Sequence, residues 1–206
     1  MDGASKPPGY FAGIYREGPD PWGFETRAYE HAKYDATLAA LTREHYPEAF
    51  EIGCSVGVLT ERLAGRCGAL LAVDVVPDPL RRARERCRHL PHVRFQQMQV
   101  PREFPEQAFD LIVLYEVGYY WSAADMEWAC ELMIERLNPR GQLLLVHWRP
   151  VVVGCPLTGD AVHATLARQA AGRLRHLAGN ANDCYRLDLY ERAGHPSETN
   201  PAGSPG

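Results

Sequence analysis

Two short segments carry residue types that suit the binding of a nucleoside. The first, Glu51-Ile52-Gly53-Cys54-Ser55-Val56-Gly57, places two glycines in a turn between a predicted strand and a predicted helix. Glycine lets the backbone approach a ligand closely, and free amides at the start of a helix favour a negatively charged group. The second is Asp74, which ends the next predicted strand, where a carboxylate can accept both hydroxyls of a ribose. Each segment alone also fits a structural turn or an exposed acid, but together they predict a nucleoside site.

Residues suited to a second, reacting molecule follow the later strands. Glu116 comes directly after the fourth predicted strand, where its carboxylate could orient an amine, accept its proton, or bind loop amides instead. His147 ends the fifth predicted strand and His163 lies in the last predicted helix; they are candidates for a base and a substrate contact, or for structural histidines. Three aromatic residues follow Glu116: Tyr119, Tyr120 and Trp121. Aromatic faces attract cations and stack on sugars. Two of these three residues could equally pack in the core.

Predicted strands and helices alternate along the chain. Runs of apolar residues predict strands over 49–53, 69–74, 93–97, 109–115 and 142–148, and a closing antiparallel pair over 173–177 and 185–191. Helices are predicted over 24–45, 58–64, 79–89 and 160–171, and a further helix is predicted to begin after Ser122. Asp78 is predicted as the N-cap of the helix over 79–89, and Asp160 as the N-cap of the last helix. Strands joined through helices require parallel crossovers, so we predict an α/β fold with helices on both faces of a mostly parallel sheet. Ligands bind such sheets beyond the carboxyl ends of the strands.

The composition excludes several classes of function. The chain has 206 residues and a formal net charge of −4. Nucleic-acid binders need a basic surface, so we predict that the protein has no nucleic-acid partner. For the same reason we do not expect an anionic membrane surface to be its main partner. No apolar run approaches the roughly 20 residues that a membrane helix needs. The six cysteines fit no zinc template, so we predict no metal site and expect reduced thiols in a cytoplasmic protein.

Both ends of the chain are rich in glycine and proline. We therefore predict a flexible N-terminus over 1–9, one domain over 10–193 and a flexible C-terminal tail over 194–206. Residues 1–13 lack a basic stretch followed by an apolar one, so we expect no signal peptide. The protein is expected to be a monomer or a homodimer.

The turn at 51–57 and the strand-terminal Asp74 resemble the loops of class I S-adenosylmethionine (SAM)-dependent methyltransferases. More closely, the chain resembles the nodulation protein S family between about residues 18 and 149. The residues that carry this resemblance are Asp20-Pro21-Trp22, Glu51-Ile52-Gly53-Cys54, Leu59-Thr60-Glu61, Phe109-Asp110-Leu111-Ile112-Val113 and Glu116-Val117-Gly118-Tyr119-Tyr120. The resemblance implies a Rossmann-like sheet of about seven strands with a C-terminal antiparallel hairpin. It also implies SAM as cofactor, S-adenosylhomocysteine as product, and N-methylation of a sugar amine, as on a de-N-acetylated chito-oligosaccharide.

The same resemblance implies roles for individual residues. Asp74 is expected to hold the ribose, with Val75 beside the adenine, and Glu51 is expected near the amino group of the methionine part. Family members often carry an Asp that bonds the adenine amino group. Met98-Gln99 stands at the aligned position here, so the amide carbonyl of Gln99 is the group that could accept a hydrogen bond from that amino group. The remaining expected cofactor contacts are Gly53, Cys54, Gly57, Glu116 and, in a lid, Trp22; the expected acceptor contacts are Tyr15, Tyr119 and Tyr120.

Three alternatives to an N-methyltransferase remain open from the sequence. The first is an O-methyltransferase acting on a sugar or on a secondary metabolite. The second is a nicotinamide-dependent oxidoreductase, although the spacing Gly53-x-x-x-Gly57 lacks the third glycine of the dinucleotide motif. The third is a SAM-binding subunit that has lost catalysis and supports a partner.

Overall fold

One seven-stranded sheet forms the centre of the computed structural model, which describes residues 3–194. The strands are β1 (Tyr46–Ile52), β2 (Cys67–Asp74), β3 (Val93–Gln97), β4 (Phe109–Tyr115), β5 (Leu137–Trp148), β6 (Leu174–Ala181) and β7 (Tyr185–Arg192). They lie in the order β3-β2-β1-β4-β5-β7-β6. The pairs among β1 to β5 are parallel, and β7 runs antiparallel to both β5 and β6. The predicted fold is confirmed, including the closing antiparallel pair.

Within residues 3–194, six α-helices accompany the sheet: α1 (Pro8–Glu17), α2 (Ala28–Ala40), α3 (Val58–Leu63), α4 (Pro77–Arg86), α5 (Ala123–Glu135) and α6 (Gly159–Ala170). The sequence analysis missed α1, none of whose residues is buried, so that no apolar stripe marks it. It also extended α2 too far in both directions, over 24–45. The helix α4 begins at Pro77 after the N-cap Val76, so the prediction that Asp78 is its N-cap was wrong.

Two of the helices are capped by hydroxyl side chains. Ser122 accepts a hydrogen bond from the Asp125 amide at 3.1 Å, as predicted for the start of α5. At α6 the cap is Thr158, which accepts from the Ala161 amide at 3.1 Å. Asp160 lies inside the first turn of α6 and accepts from Arg149 Nε at 3.1 Å, so its predicted capping role was wrong.

The hydrophobic core lies on both faces of the sheet. This explains why the sequence of β4 is a nearly continuous run of apolar residues. Ile112 and Leu114 point into a cluster that includes Met126 and Met133 of α5. Leu111 and Val113 point into a second cluster on the other face, which includes residues of α2 and α3. A strand buried on both faces loses the alternation of polar and apolar residues. The sheet is therefore rigid and positions the loops at its edges.

The ends of the domain differ in part from the prediction. The Lys6 amide donates to the Tyr120 carbonyl at 2.9 Å, Ser5 Oγ bonds Asp125, and α1 begins at Pro8, so residues 5–9 belong to the folded unit. The prediction of a flexible N-terminus was therefore wrong for these residues. Residues 195–206 of the predicted tail lie outside the described residues. Within residues 3–194, no helix is long and apolar enough to cross a membrane.

We predict that Thr158→Ala lowers the free energy of unfolding by about 0.5–2 kcal/mol, the usual cost of losing an N-cap hydroxyl. Chemical denaturation followed by circular dichroism measures this loss. The control is Thr158→Ser, which keeps the hydroxyl and should remain within about 0.5 kcal/mol of the wild type. Equal stabilities of the Ala and Ser variants would show that Thr158 does not cap α6.

Candidate functional site

A cavity of about 380 Å³ opens at the carboxyl ends of β1, β2 and β4, where the sheet topology predicts a ligand. It is covered on its outer side by residues of α1 and α2 and by the segment that joins these helices. Most of the predicted site residues line it: Tyr15, Trp22, Glu51, Gly53, Cys54, Asp74, Val75, Gln99, Glu116, Tyr119 and Tyr120. Three others do not line it: Gly57, His147 and His163.

The glycine turn after β1 shows why its two glycines differ. Gly53 has φ +89°, and a Cβ there would lie 2.1 Å from Val117 Cγ2 and 3.0 Å from the Tyr115 carbonyl oxygen. The loops after β1 and β4 thus approach each other closely at the floor of the cavity. Gly57 has φ +79°, but a Cβ there would meet Ala83 of α4 at 2.9 Å. The structure therefore contradicts the expected ligand contact of Gly57, whose role is helix packing.

Asp74 is held in place by the backbone. Its Oδ2 accepts from the Ser55 amide at 2.9 Å and its Oδ1 accepts from the Val76 amide at 3.0 Å. Burial raises the pKa of this carboxyl to about 6, while these amides oppose the rise. Since each carboxylate oxygen can accept a second hydrogen bond, the fixed carboxylate remains able to bind a pair of hydroxyls.

Glu51 is the most completely buried acid of the cavity, with 1% of its surface exposed. Within the described part of the chain, nothing donates a hydrogen bond to its Oε2. Burial, with a smaller contribution from Asp74, raises the pKa of its carboxyl to about 7, while the neighbouring Thr60 hydroxyl opposes the rise. A buried acid without a donor is costly, so this oxygen is suited to a ligand that brings a donor or a positive charge.

Glu116 is held by three donors in a strained turn after β4. Its backbone has φ +56°, a region that residues other than glycine rarely adopt. Lys33 Nζ donates to Oε1 at 2.6 Å, while Tyr119 Oη donates to Oε2 at 2.8 Å and the Trp148 amide donates to Oε2 at 2.9 Å. The carboxylate faces the cavity, but much of its capacity to accept hydrogen bonds is taken.

Lys33 is the main residue of the site that the sequence analysis missed. Its side chain is 2% exposed, and its ammonium lies 2.6 Å from Glu116 and 3.0 Å from Glu30 of the same helix. The ammonium also lies 5.1 Å and 5.2 Å from the ring centroids of Tyr29 and Tyr115. The signal in the sequence was the spacing of Glu30, Lys33 and Thr37, which places three polar residues on one helical stripe.

The two candidate histidines form a buried chain behind the site. The Gly118 amide donates to His147 Nε2 at 3.1 Å, His147 Nδ1 lies 3.2 Å from His163 Nε2, and His163 Nδ1 lies 2.6 Å from Asp188 Oδ2. Because a backbone amide can only donate, both rings must carry their proton on Nδ1. Burial holds the pKa of both imidazoles below its usual value. Neither ring faces the cavity, so the predicted roles of His147 and His163 in catalysis were wrong.

Aromatic side chains enclose the outer part of the cavity. The rings of Tyr15 and Trp22 lie 5.3 Å apart edge to face, and Tyr15 Oη bonds Ser55 Oγ, so the cover is attached to the loop that also holds Asp74. Tyr119 and Tyr120 are 7% and 8% exposed, and the ring of Tyr120 packs 4.8 Å from Phe11 of α1. Tyr119 and Tyr120 therefore line the cavity and also belong to the core, and their contact with an acceptor stays a prediction.

A glycine turn after β1, a fixed acid at the end of β2 and a cavity between them define a class I SAM-dependent methyltransferase fold. The chain belongs to the nodulation protein S (NodS) family, whose sequence pattern matches residues 16–184. It is 34% identical to nodulation protein S of Bradyrhizobium diazoefficiens over 147 residues, which cover 70% of this chain and 69% of that protein. It is 33% identical to nodulation protein S of Sinorhizobium fredii over 127 residues, 61% of this chain and 59% of that protein. The match to the latter thus spans less than two thirds of the relative's length.

Solved structures show the same fold. The N-methyltransferase NodS from Bradyrhizobium japonicum WM9 in complex with S-adenosylhomocysteine superposes with a TM-score of 0.79 at 25% identity, covering 88% of this chain and 97% of that one. A crystal structure from Pseudomonas syringae has a TM-score of 0.71 at 38% identity, covering 81% of this chain and 100% of that one. The family match counts against the alternative of a nicotinamide-dependent oxidoreductase.

We predict that the rings of His147 and His163 stay neutral as the pH falls through 6.5, the ordinary pKa of histidine, because burial penalises the imidazolium. Long-range nitrogen–proton NMR correlation of labelled protein measures both the tautomer and the charge of each ring. Both rings should report Nδ1–H, and the same protein in urea serves as the titrating control. A buried ring that gains its second proton near pH 6.5 would contradict the chain of donors described above.

Proposed function

We propose that this protein is a SAM-dependent N-methyltransferase that methylates the amine of a small acceptor of the amino-sugar type. The observation that carries the proposal is the charge of the inner wall of the cavity. Four carboxylates lie there, from Glu30, Glu51, Asp74 and Glu116, beside the buried ammonium of Lys33. The other charged residues that line the cavity are less buried: Lys6, Arg27, Arg102 and Asp125. Such a wall favours positively charged ligands over anions.

The residues of the first half of the cavity fit SAM. The carboxylate of Asp74 suits the two ribose hydroxyls, Val75 and Gln99 lie beside the place expected for the adenine, and the unpartnered Oε2 of Glu51 suits the ammonium of the methionine part. Gly53 and Cys54 bring the backbone to the cavity floor without a bulky side chain at position 53. When bound, SAM would supply a methyl group on a sulfonium, from which an aligned nucleophile would displace the thioether in line.

The second half of the cavity suits an amine. Glu116 is fixed by Lys33, Tyr119 and the Trp148 amide, so its charge stays at one place when the acceptor enters. Aromatic residues stand around that charge, which favours a cationic group or the face of a sugar ring. The task of the chain is then to align the amine with the methyl group and to exclude water. The solved relative named an N-methyltransferase supports this assignment through its fold and family.

We predict that the protein transfers a labelled methyl group from SAM to a chito-oligosaccharide whose terminal glucosamine carries a free amine. The matched control is the same oligosaccharide with that amine acetylated, which offers the same hydroxyls but no amine nucleophile, and it should remain unlabelled. Mass spectrometry of the product, with fragmentation, measures the number of methyl groups and their position.

Two outcomes would overturn the proposal. Equal labelling of the free and the acetylated oligosaccharide would identify an O-methyltransferase. No labelling of any amine acceptor by a protein that still binds S-adenosylhomocysteine would favour a binding subunit without catalysis.

If the wild type methylates the free amine, Glu116→Gln should lower kcat/KM at least tenfold, because the variant removes the fixed charge opposite Lys33.

A further inference from the structure

The Glu30, Lys33 and Glu116 side chains form a buried cluster with one more acid than base. Lys33 Nζ lies 2.6 Å from Glu116 Oε1, and 3.3 Å and 3.0 Å from the two oxygens of Glu30. Because its contact with Glu116 is the shortest, the Lys33 ammonium pairs mainly with Glu116. The Glu116 carboxylate also accepts hydrogen bonds from Tyr119 Oη and the Trp148 amide. Glu30 is the surplus carboxylate of the cluster.

Glu30 combines burial, an oxygen without an aligned hydrogen bond and a place on the cavity wall. The residue is 6% exposed and lines the same cavity as Glu116. Lys33 is the donor to its Oε1, and among the residues that the structure describes no hydrogen-bond donor is aligned on Oε2. Its position in the first turn of α2 favours the ionised form, so the carboxylate is available when a ligand arrives.

An amine acceptor must lose a proton before its nitrogen can react, and Glu116 is poorly placed to take it. A proton on Glu116 Oε2 would compete with the hydrogen bonds from Tyr119 Oη and the Trp148 amide, and a proton on Oε1 would compete with the Lys33 ammonium. A proton on Glu30 Oε2 would displace no aligned hydrogen bond, since the Lys33 ammonium lies 3.0 Å from this oxygen without donating to it. Burial also raises the pKa of the Glu30 carboxyl, while the charge of Lys33 opposes the rise.

From this geometry we infer that Glu30, rather than Glu116, is the general base of the reaction, and that Glu116 with Lys33 positions the acceptor. The inference rests on the proposed function. The N–H bond of the acceptor's ammonium breaks and its proton passes to the Glu30 carboxylate. The electron pair left on nitrogen forms the bond to the methyl carbon, and the pair of the broken carbon–sulfur bond stays on sulfur. The products are an N-methylated ammonium, a neutral thioether and a protonated Glu30, which returns its proton to water.

The charge balance of the cluster supports this order of events. The cluster carries a net charge of −1 when both acids are ionised, and entry of an ammonium brings it to zero. Transfer of the proton within the site leaves that total unchanged, so no uncompensated charge is created in a buried place. A second carboxylate near Lys33 is otherwise hard to explain, because a buried acid in excess of its partner destabilises the fold.

The test compares Glu30→Gln with Asp35→Asn, a matched change from acid to amide on the exposed side of the same helix, where Asp35 is 74% exposed. Glu30→Gln leaves the pair of Lys33 and Glu116 neutral, so it should fold and bind S-adenosylhomocysteine within about twofold of the wild type. At neutral pH its kcat should fall about a hundredfold, the lower range for loss of a general base, with KM for the amine acceptor changed much less. Asp35→Asn should leave both constants unchanged.

The pH profile separates a base from a structural residue. The loss in Glu30→Gln should shrink as the pH rises, because water then supplies the free amine, and Glu30→Asp should restore part of the activity and the wild-type profile. A loss that is the same at every pH would show a structural role. Unchanged kcat in Glu30→Gln would overturn the inference while leaving the proposed function intact, whereas inactivity of the wild type toward every amine would overturn the proposed function itself.

A measurement without turnover completes the test. Difference infrared spectroscopy of the complex with S-adenosylhomocysteine and the amine acceptor should show a protonated carboxyl that is absent from Glu30→Gln and present in Asp35→Asn. A complex that binds the acceptor without a protonated carboxyl, or one whose signal persists in Glu30→Gln, would assign the proton elsewhere.

Discussion

The contact between the buried ammonium of Lys33 and the carboxylate of Glu116 is the interaction on which the site depends. It joins α2, which covers the cavity, to the strained turn after β4, which forms its floor. A buried ion pair adds little net stability, but removing one partner costs about 3–5 kcal/mol because the other charge is left uncompensated. The pair therefore fixes geometry more than it stabilises the fold, and it ties α2 to a turn in which Glu116 has a positive φ. The rings of Tyr29 and Tyr115 lie beside the ammonium, whose side chain is 2% exposed.

Much of the site follows from the parallel sheet, and for that reason it could be predicted from the sequence. Carboxyl ends of parallel strands meet at one edge, so residues that end β1, β2 and β4 had to converge wherever those strands became neighbours. Glu51, Asp74 and Glu116 satisfy this condition and line one cavity. The apolar runs of β4 and β5 made their strands visible because both of their faces are buried. Local patterns of this kind require no knowledge of distant contacts.

The parts that could not be predicted depend on contacts between distant segments. Lys33 and Glu30 look like the solvated face of a helix, and only the packing of α2 over β4 turns that face inward. His147 ends its strand at the correct edge, yet the Gly118 amide and His163 use both of its nitrogens behind the cavity wall. Gly57 sits in the correct loop, but α4 approaches it from the other side. In each case the residue type was informative and its partner, far along the chain, decided the role.

The proposed function requires that the cavity at the edge of the sheet bind the nucleoside of the cofactor through Asp74. Calorimetric titration of S-adenosylhomocysteine into the wild type, Asp74→Ala and Asp78→Ala tests it most directly, since Asp78 is an exposed acid four residues further on that does not line the cavity. We predict binding by the wild type and by Asp78→Ala with equal affinity, and a loss of about 1–3 kcal/mol in Asp74→Ala, the cost of unmade hydrogen bonds to a buried partner. No binding by the wild type, or equal binding by Asp74→Ala, would contradict the account.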